Sequence, residues 1–504
     1  MCRVAVALGW LLAGAAFATA DDEPGGDVVR ALQARFERIA RDARGSVACI
    51  LVSRSDAYAA APSWGVAAKG AEPGQLGRFD AAAARRRVPA DAPNRGRLLR
   101  QIGEHDLSRP DAVPESYGSG IVLDRSGLVL TNAHVVRDAT RLYVRLPDAR
   151  GSWADVHASD PRSDLAVLRL LDPPADLAPL PLGDAGKVRT GQFVLSIANA
   201  YAPGFRRSDE PTVGYGLVSN LRRRLPGNTS EMERSKVTLH HYGTLIQTDA
   251  RTTPGCSGGA LLDLDGKVIG LTTALAGIRG DRPGGFAIPI DENTRRLVDV
   301  LRRGEEVEYG FLGVVLQPAG GLGGVRVYRV SPGSPAGRAG LLPGDQIVAI
   351  NDHPIRSNDD LFLYVGMALA GSTARVEVVR GPGVRQTVPV KLSKYYVEGP
   401  VLASRRPPAR FGLRVDYTSL LSQRNPFPVW GRGVADGVIV REVVPGSPAD
   451  DARMQPDKVI TAVNGRMVNT PAEYYREVAR SGARVELTFL TSDGRPELLT
   501  LEEK

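Results

Sequence analysis

Residues 254–270 read PGCSGGALLDLDGKVIG, a glycine-rich turn around a serine that runs directly into two apolar segments separated by Asp265-Gly266. An Asp-Gly pair between apolar segments predicts a β-hairpin, because its tight turn needs positive φ angles. In the turn before the hairpin, backbone N–H groups can point at a reacting oxygen next to Ser257. The stretch therefore predicts a candidate nucleophile held in a turn between β-strands.

Short β-runs continue on both sides of this hairpin. Apolar segments alternate with glycine and other turn residues from residue 117 to 290, as at 120–124, 128–131, 142–146, 165–170 and 192–197. Many short strands at this spacing favour a barrel or a sandwich over an α/β sheet. Asp291 is placed to cap a helix that closes the domain, and an amphipathic helix over 27–45 precedes the first strand.

Two further residues could supply the base that a serine nucleophile needs and the group that orients this base. His134 follows an apolar strand in TNAHVV (131–136), and Asp164 opens a buried strand in SDLAVL (163–168). A buried carboxylate needs a partner to offset its desolvation. A hydroxyl becomes nucleophilic when a base takes its proton, and the base needs a third group to orient it. His134, Asp164 and Ser257 form such a set.

The same turn also fits the pattern G-x-S-x-G at 255–259, which raises an α/β-hydrolase as an alternative. That fold needs its catalytic histidine after the serine and a helix directly after the turn. The only histidine after Ser257 is His353, within the C-terminal region, and a hairpin follows the turn. The order His, Asp, Ser on short strands is that of the chymotrypsin-like double barrel.

An internal repeat organises the C-terminal two hundred residues. VSPGSPA (330–336) recurs as VVPGSPA (443–449), and Pro343-Gly-Asp345 aligns at the same offset with Pro456-Asp-Lys458, which has lost the turn glycine. The repeat predicts two copies of one domain, each of about 90 to 100 residues. Segment 398–408, with its prolines and arginines, is predicted to be a stiff polar linker between them.

Length and composition limit the number of domains and exclude some classes of protein. A chain of 504 residues predicts two to four domains. Its three cysteines exclude a disulfide scaffold. The net charge of +8 comes with short, scattered arginine clusters that lack interleaved aromatics, which argues against nucleic-acid binding. Segment 56–115, rich in Ala, Pro, Gly and Arg, is expected to be a long inserted loop.

The N-terminus indicates export. Residues 1–20 have a short basic start, an apolar run over 4–17 and the ending Ala18-Thr-Ala20, which is typical of a cleaved secretory signal. A retained membrane anchor is the alternative, although the run is short for a spanning helix. We therefore expect a periplasmic or extracellular protein with no integral membrane segment after cleavage.

Six blocks in fixed order resemble the HtrA family of exported, DegP-like serine proteases: YGSGIVLD (117–124), LTNAHVV (130–136), SDLAVL (163–168), LIQTDA (245–250), GCSGGAL (255–261) and FAIP (286–289). The resemblance implies a mainly β protein, with a chymotrypsin-like double β-barrel protease domain followed by two PDZ-like α+β domains. The expected bounds are 1–20 for the signal peptide, 21–303 for the protease, and 304–396 and 404–504 for the PDZ domains.

The resemblance also implies roles for individual residues. His134 would be the general base, Asp164 its orienting partner and Ser257 the nucleophile, while the amides of Gly255 and Ser257, with Cys256 between them, would form the oxyanion hole. Leu271, Thr272 and Thr273 would line the substrate pocket, and with no acidic residue there a small or medium apolar side chain is expected. The expected carboxylate-binding loops of the PDZ domains are Phe311, Leu312, Gly313 and Val314, and Phe411, Gly412 and Leu413.

Several positions depart from the family pattern. Cys256 stands where asparagine is usual, and Ala198-Asn199-Ala200 replaces a glycine-asparagine-proline stretch. The loops 201–212 and 221–243 are long and charged at the family's activation-loop positions, so regulation is expected to differ. A Cys49–Cys256 disulfide stays open, since sequence gives no distance. The adjacent pair His240-His241 lacks further ligands and is expected to be exposed polar sequence. We expect no metal and no cofactor.

Together these features predict an exported serine endopeptidase that cleaves unfolded or misfolded proteins through an acyl-enzyme on Ser257. Its expected partners are unfolded substrates and peptide C-termini, captured by the PDZ-like repeats. The resemblance further implies a homo-oligomer, a trimer or a multiple of one. The alternative is a chaperone or scaffold that binds unfolded chains while its protease site stays silent.

Overall fold

The computed structural model describes residues 26–55, 74–148, 150–200, 210–225, 237–273, 285–317, 324–381, 383–424, 436–491 and 494–503. The expected signal segment 1–20 lies outside these residues, as do 201–209 and 226–236 of the two charged loops. Within the described ranges, no helix combines the length and the apolar character that crossing a membrane requires.

The first barrel follows the predicted N-terminal helix, α1 (Gly26–Arg44). Its strands are β1 (Val47–Ser53), β2 (Ser116–Val122), β3 (Leu128–Thr131), β4 (Arg141–Leu146), β5 (Arg150–Asp160) and β6 (Leu165–Leu170). They pair in the order β5-β4-β1-β2-β3-β6, and pairing of β5 with β6 closes the barrel. Every residue of β1 is buried, as expected for a central strand with both faces covered.

The segment after β1 differs from its expected form. We expected one long loop over 56–115, but the described part from residue 74 onward contains helices α2 (Ala81–Arg86) and α3 (Arg95–Glu104). Asp80 caps α2 by accepting a hydrogen bond from the Ala83 amide at 2.7 Å. Ile102 of α3 is fully buried in a cluster with Leu51 and Trp153 of the barrel. The few apolar residues of this alanine- and arginine-rich segment are therefore sufficient to dock it.

The second barrel contains the predicted hairpin. Its strands are β7 (Phe193–Ala198), β8 (Thr212–Arg223), β9 (Leu245–Thr248), β10 (Ala260–Leu262), β11 (Val268–Thr273) and β12 (Gly285–Pro289), closed in the order β10-β11-β12-β9-β8-β7. The hairpin between β10 and β11 is confirmed, but its connection spans residues 263–267: Gly266 has a φ angle of 73°, whereas Asp265 has no positive φ. Short helical turns lie at Ala185–Lys187 and Leu239–Tyr242, and α4 (Ala133–Val136) follows β3 directly.

A helix closes the protease region, as the sequence predicts. Helix α5 (Glu292–Arg302) begins after Asp291, whose carboxylate accepts a hydrogen bond from the Thr294 amide at 2.8 Å. Its buried residues Leu297 and Leu301 belong to one apolar core with residues of both barrels, such as Leu165 and Leu271. The barrels and the helix therefore form one body, because they share this core.

The first repeat is a small antiparallel sheet with two helices. Its elements are β13 (Gly310–Phe311), β14 (Val314–Leu316), β15 (Val325–Val330), α6 (Pro335–Arg338), β16 (Gln346–Ile350), β17 (His353–Pro354), α7 (Asn358–Met367), β18 (Thr373–Arg380), β19 (Val384–Lys391) and β20 (Ser393–Lys394). The main sheet runs in the order β14-β15-β16-β18-β19, which leaves β14 at an edge.

The second repeat has the same sheet order, as the internal sequence repeat predicts. Its elements are β22 (Leu413–Tyr417), α8 (Ser419–Arg424), β23 (Val438–Val443), α9 (Pro448–Asp451), β24 (Val459–Val463), β25 (Arg466–Met467), α10 (Pro471–Arg480), β26 (Arg484–Leu490) and β27 (Pro496–Glu502), after a helical turn at Arg410–Gly412. The sheet order is β22-β23-β24-β26-β27, so β22 takes the place of β14.

The segment between the repeats is more than a spacer. Strand β21 (Leu402–Ala403) pairs with β5 of the first barrel, with Leu402 opposite Ser159. The next residue, Ser404, places its hydroxyl 2.7 Å from His157 Nδ1. The predicted polar linker therefore extends the sheet of the first barrel, because residues 158 and 159 of β5 lie beyond the part that pairs with β4 and have one side open to another strand.

Candidate active site

His134 and Asp164 meet where two neighbouring strands of the first barrel end and begin. His134 Nδ1 lies 2.8 Å from Asp164 Oδ2 and 3.0 Å from Oδ1, and the His134 backbone amide donates to Oδ1 at 2.9 Å. The Asp164 side chain is only 3% exposed, so these donors replace the water that the carboxylate has lost. A carboxylate at Nδ1 holds the proton there and leaves Nε2 available as a base.

Strand β2 binds the backbone of Ser257 next to the segment that carries His134. The Ser257 carbonyl accepts a hydrogen bond from the Ser119 amide at 2.7 Å. A side-chain carbon added at Gly118 would lie 2.6 Å from Cγ1 of Val135, the neighbour of His134, and 3.3 Å from the Ser257 carbonyl oxygen. The backbone at Ser257 therefore lies next to the segment that carries His134, which supports the prediction that the histidine, aspartate and serine form one site.

The turn around Ser257 is held from both barrels. Gly255 and Gly258 have φ angles of 90° and 89°, which residues with a side chain rarely adopt. Ser119 of the first barrel donates its hydroxyl to the Gly255 carbonyl at 2.8 Å. The Gly258 amide donates to the Thr272 carbonyl of the second barrel at 2.8 Å. Gly255 and Gly258 thus allow the backbone path of the turn.

Cys256 is accommodated without a disulfide to Cys49. Its Sγ lies 3.3 Å from the Thr253 amide nitrogen and 3.2 Å from the Thr253 hydroxyl. Cys49 is buried elsewhere, in the apolar cluster of Trp153 and Ile102 on the first barrel. The described residues form no bond between the two sulfurs. Cysteine therefore fills a position in the turn where asparagine is usual, and its thiol stays close to Thr253.

The strand expected to line the substrate pocket lies directly behind this turn. Leu271, Thr272 and Thr273 of β11 are buried. The Thr272 hydroxyl donates to the Cys256 carbonyl at 2.5 Å, so the strand and the turn support each other. Residues 274–284, which continue beyond the strand, lie outside the described residues.

The expectation of an exposed His240-His241 pair is wrong. The two residues are 2% and 7% exposed, in the helical turn Leu239–Tyr242. His240 Nε2 lies 2.9 Å from the Ser163 carbonyl oxygen, and its Nδ1 lies 2.7 Å from the Thr244 hydroxyl. Loss of solvent lowers the pKa of His240. The apolar residues Leu239 and Tyr242 on either side of the pair were the available signal for burial.

The predicted carboxylate-binding loop of the first repeat lies between β13 and β14. Gly313 has a φ angle of 84°, and its carbonyl accepts a hydrogen bond from the Ser331 amide at 2.9 Å. The Leu312 side chain is buried, and the flanking residues Phe311 and Val314 are half-buried. Strand β14 is half-buried along its length.

The second repeat contains the same loop. Gly412 has a φ angle of 86°, and its carbonyl accepts a hydrogen bond from the Val444 amide at 2.8 Å. Phe411 and Leu413 on either side are buried. Phe411 lies 34 residues before Pro445, whereas Phe311 lies 21 residues before Pro332. The insertion after β22, which contains α8, explains the larger distance.

A side chain of the same domain hydrogen-bonds the edge strand of the second repeat. The Val415 amide donates a hydrogen bond to the Tyr475 hydroxyl of α10 at 3.0 Å. The same hydroxyl donates to the Val415 carbonyl at 3.4 Å. Val415 is buried in the middle of β22. Backbone groups that an added strand would use are therefore occupied by a side chain of the same domain.

A buried ionic cluster joins the two repeats to each other. Lys394 Nζ lies 2.9 Å from a Glu306 carboxylate oxygen, 3.2 Å from one of Glu308 and 2.9 Å from one of Asp416. Arg441 also contacts Asp416 and Glu306. Burial alone would lower the pKa of Lys394, but the three carboxylates raise it, so the ammonium stays charged.

Three family models match the chain: a trypsin-like peptidase domain at residues 118–271 and PDZ domains at residues 310–392 and 439–491. A protein of Hahella chejuensis, named as a probable periplasmic serine endoprotease, DegP-like, is 33% identical over 77% of this chain and 80% of the relative. One of Pseudomonas fluorescens with the same name is 32% identical over 76% of this chain and 79% of the relative. Among solved structures, the HtrA-type protease AlgW with decapeptide has 25% identity and a TM-score of 0.48, covering 72% of this chain and 99% of that one. The chain therefore belongs to the family of DegP-like periplasmic serine endoproteases, with a trypsin-like peptidase domain followed by two PDZ domains.

Proposed function

We propose that this serine endopeptidase cleaves unfolded or misfolded polypeptides through an acyl-enzyme on Ser257. The observation that carries the proposal is the Asp164 carboxylate at 2.8 Å from His134 Nδ1, beside the turn that holds Ser257. His134 Nε2 takes the Ser257 hydroxyl proton as Oγ attacks the scissile carbonyl carbon. His134 then gives this proton to the leaving amine as the C–N bond breaks. Water, activated by the same imidazole, hydrolyses the ester and restores the serine.

The amides of Gly255 and Ser257 are the proposed donors to the oxyanion. The Cys256 amide between them donates to the Thr253 carbonyl at 3.0 Å, so it belongs to the turn itself. Donors fixed before the reaction stabilise charge that develops on the carbonyl oxygen without having to reorganise. The positive φ of Gly255 supports this role, because it sets the direction of the neighbouring peptide groups.

We further propose that Leu271, Thr272 and Thr273 form the wall of the pocket for the residue before the cleaved bond. This wall contains no charged side chain. A small or medium apolar residue therefore suits it better than a basic one. Alanine and valine before the cleaved bond are the expected preferences.

Peptide capture is assigned to the first PDZ domain. The loop of Phe311, Leu312, Gly313 and Val314 would bind a terminal carboxylate, and the half-buried edge of β14 would accept the peptide as an added strand. The matching loop of Phe411, Gly412 and Leu413 has a left-handed glycine at the same place, but Phe411 also has a positive φ of 55°, which the first loop lacks at Leu312. Its neighbouring strand is engaged by Tyr475, so this second site needs Tyr475 to move before an extended peptide can pair there.

Assembly into a homo-oligomer, a trimer or a multiple of one, is also proposed. An apolar patch on α1 and the second barrel supports it, since Val29, Phe193, Val213 and Tyr215 are each more than two-fifths exposed. The Phe36 ring stacks on Tyr215 with centroids 5.9 Å apart. Exposed apolar surface of this kind marks contact surfaces between proteins.

Cleavage of an unfolded reporter protein tests the proposal. The purified chain and its Ser257→Ala variant are incubated with a permanently unfolded reporter and with its folded form. We expect cleavage of the unfolded form by the wild type alone. If the variant cleaves equally, Ser257 is not the nucleophile. If neither cleaves but both prevent the reporter from aggregating, the protein is a chaperone with a silent protease site.

A further inference from the structure

The turn that carries Asp164 has a backbone conformation that needs support from outside. Asp164 has a φ angle of 56°, in the left-handed region that residues other than glycine seldom occupy. Its carbonyl accepts hydrogen bonds from the Ala133 amide at 3.0 Å and the Asn132 side chain at 3.1 Å. These contacts fix the carboxyl side of the residue. The peptide group on its amino side, between Ser163 and Asp164, needs a restraint of its own.

His240 supplies that restraint. Its Nε2 lies 2.9 Å from the Ser163 carbonyl oxygen, which belongs to the peptide group that precedes Asp164. A carbonyl oxygen can only accept, so Nε2 carries the proton. Nδ1 then accepts from the Thr244 hydroxyl at 2.7 Å. The neutral imidazole is thus held by one donor and one acceptor, and both of its nitrogens are used.

The helical turn that contains His240 is itself fastened to the Asp164 turn. The Leu239 amide donates to the Arg162 carbonyl at 2.8 Å, one residue before the carbonyl that His240 binds. The His240 carbonyl accepts from the Leu225 amide at 3.0 Å. Two consecutive carbonyls, of Arg162 and Ser163, are therefore held by consecutive residues of the second barrel. This pairing connects the second barrel, which carries Ser257, to the aspartate on the first.

We infer that His240 is a positioning residue for catalysis, which fixes the peptide plane before Asp164 and thereby the direction of its carboxylate toward His134. The inference rests on the proposed triad. Rotation of this peptide plane changes the φ angle of Asp164, which moves the carboxylate oxygens away from His134 Nδ1. Small displacements of this kind reduce the rate of the chemical step more than the binding of substrate.

Three variants separate this role from a purely structural one. His240→Leu removes both hydrogen bonds, whereas His240→Gln restores an amide donor toward Ser163 and an acceptor toward Thr244. His241→Gln is the matched control, because the His241 ring hydrogen-bonds Thr238 at the start of its own helical turn. Steady-state cleavage of a short chromogenic peptide gives kcat and KM, and circular dichroism checks that each variant is folded.

We expect His240→Leu to lower kcat ten- to hundredfold with KM within twofold of wild type. His240→Gln should recover kcat to within about threefold, and His241→Gln should be close to wild type. The rate at which a phosphonofluoridate labels Ser257 should fall in the same order, because it reports serine activation without peptide binding. A folded leucine variant with unchanged kcat, or a glutamine variant as slow as leucine, would overturn the inference.

Two further results keep the test decisive. If His240→Leu does not fold, Thr244→Val replaces it: this near-isosteric change releases Nδ1, and kcat should fall at least threefold at constant KM. An unchanged kcat in folded Thr244→Val would contradict the positioning role. Failure of the proposed function is distinguishable, because then the wild type itself cleaves no peptide and Ser257 is not labelled.

Discussion

The two PDZ domains share a sheet order and a loop with a left-handed glycine, but their second helices carry different residues at one equivalent position, Phe362 and Tyr475. Phe362 is the fifth residue after the Ser357 cap of α7, and Tyr475 is the fifth after the Thr470 cap of α10. Phe362 is 44% exposed, with its ring 5.9 Å from that of Tyr242 in the protease domain. Tyr475 instead turns its hydroxyl onto the edge strand of its own domain.

This difference shows how one fold can bind a peptide in one domain and be attached to a neighbouring domain in another. A peptide that joins a sheet needs backbone donors and acceptors at the edge. In the first domain β14 offers such an edge, whereas in the second Tyr475 already bonds Val415, and Asp416 is drawn into the ionic cluster around Lys394. We therefore propose that the first domain binds peptides, whereas the ionic cluster fixes the second domain to the first.

The largest effect should come from breaking the attachment of the second domain. Lys394→Met removes the cation that contacts three carboxylates in a buried setting. Removing one partner of a buried ion pair destabilises by about 3 kcal/mol or more, because the other charge stays buried. Urea unfolding followed by circular dichroism measures the loss. The exposed Lys391→Met is the matched control and should change stability by less than about 0.5 kcal/mol. Equal losses in both variants would contradict the assigned role of the cluster.

Peptide affinity should depend on the loop of the first domain only. A side chain at Gly313 would overlap Ser334, and one at Gly412 would overlap Ser447 in the same way. In the Ser257→Ala background, Gly313→Ala should weaken binding of a fluorescent peptide with a free apolar C-terminus at least tenfold, about 1.4 kcal/mol. Gly412→Ala should leave the affinity within twofold. Fluorescence anisotropy measures both, and the reverse order of effects would exchange the roles of the two domains.

Giving the second domain the residue of the first should open its groove. Tyr475→Phe leaves the Val415 amide without its side-chain acceptor and should destabilise the chain by about 1 kcal/mol. The freed edge should then bind a second peptide, so the stoichiometry by isothermal titration calorimetry should rise from one to two per chain. Tyr474→Phe is the control, because this neighbour faces the domain core. An unchanged stoichiometry in Tyr475→Phe would show that the hydroxyl does not close the groove.

The smallest effect concerns acid sensitivity. Burial raises the pKa of Asp345, but two hydrogen bonds from Arg380, each 2.7 Å long, and one from the Leu342 amide outweigh it and hold this pKa below its ordinary value. An aspartate with a lowered pKa stabilises the folded chain at pH values above the ordinary aspartate pKa of about 3.9. This stabilisation is lost as the pH falls below that value. Asp345→Asn should therefore lose less stability than wild type between pH 6 and pH 3 in urea unfolding. Lys458→Met, at the equivalent position of the second domain, is the control and should keep the wild-type pH dependence. If the stability of Asp345→Asn falls with pH in parallel with that of the wild type, Asp345 does not have the assigned role.

Sequence patterns predict the barrels and the three site residues because each depends on local chemistry. The Asp265-Gly266 turn, the cap at Asp291 and the repeated PGSP segment each fix a backbone path within a few residues. The placement of His134 after one strand and Asp164 before another is also local, since both strands are strongly apolar. These features need no knowledge of distant contacts.

What the sequence does not predict depends on contacts between distant segments. Helices α2 and α3 gain stability by docking Ile102 onto the first barrel, and strand β21 forms because the edge of β5 lies within its reach. His240 is buried because it meets the turn of Ser163, far away in the chain. In each case a polar or weakly apolar segment is ordered by a partner that local patterns do not reveal.

Trapping the acyl-enzyme tests the central claim most directly. The protein is mixed with a slowly deacylating peptide ester, quenched in acid within a single turnover, digested and examined by mass spectrometry. The structure predicts an acyl adduct on the peptide that contains Ser257, and none in Ser257→Ala. Efficient cleavage of the unfolded reporter without an adduct at Ser257, or the same adduct in the alanine variant, would contradict the proposed mechanism.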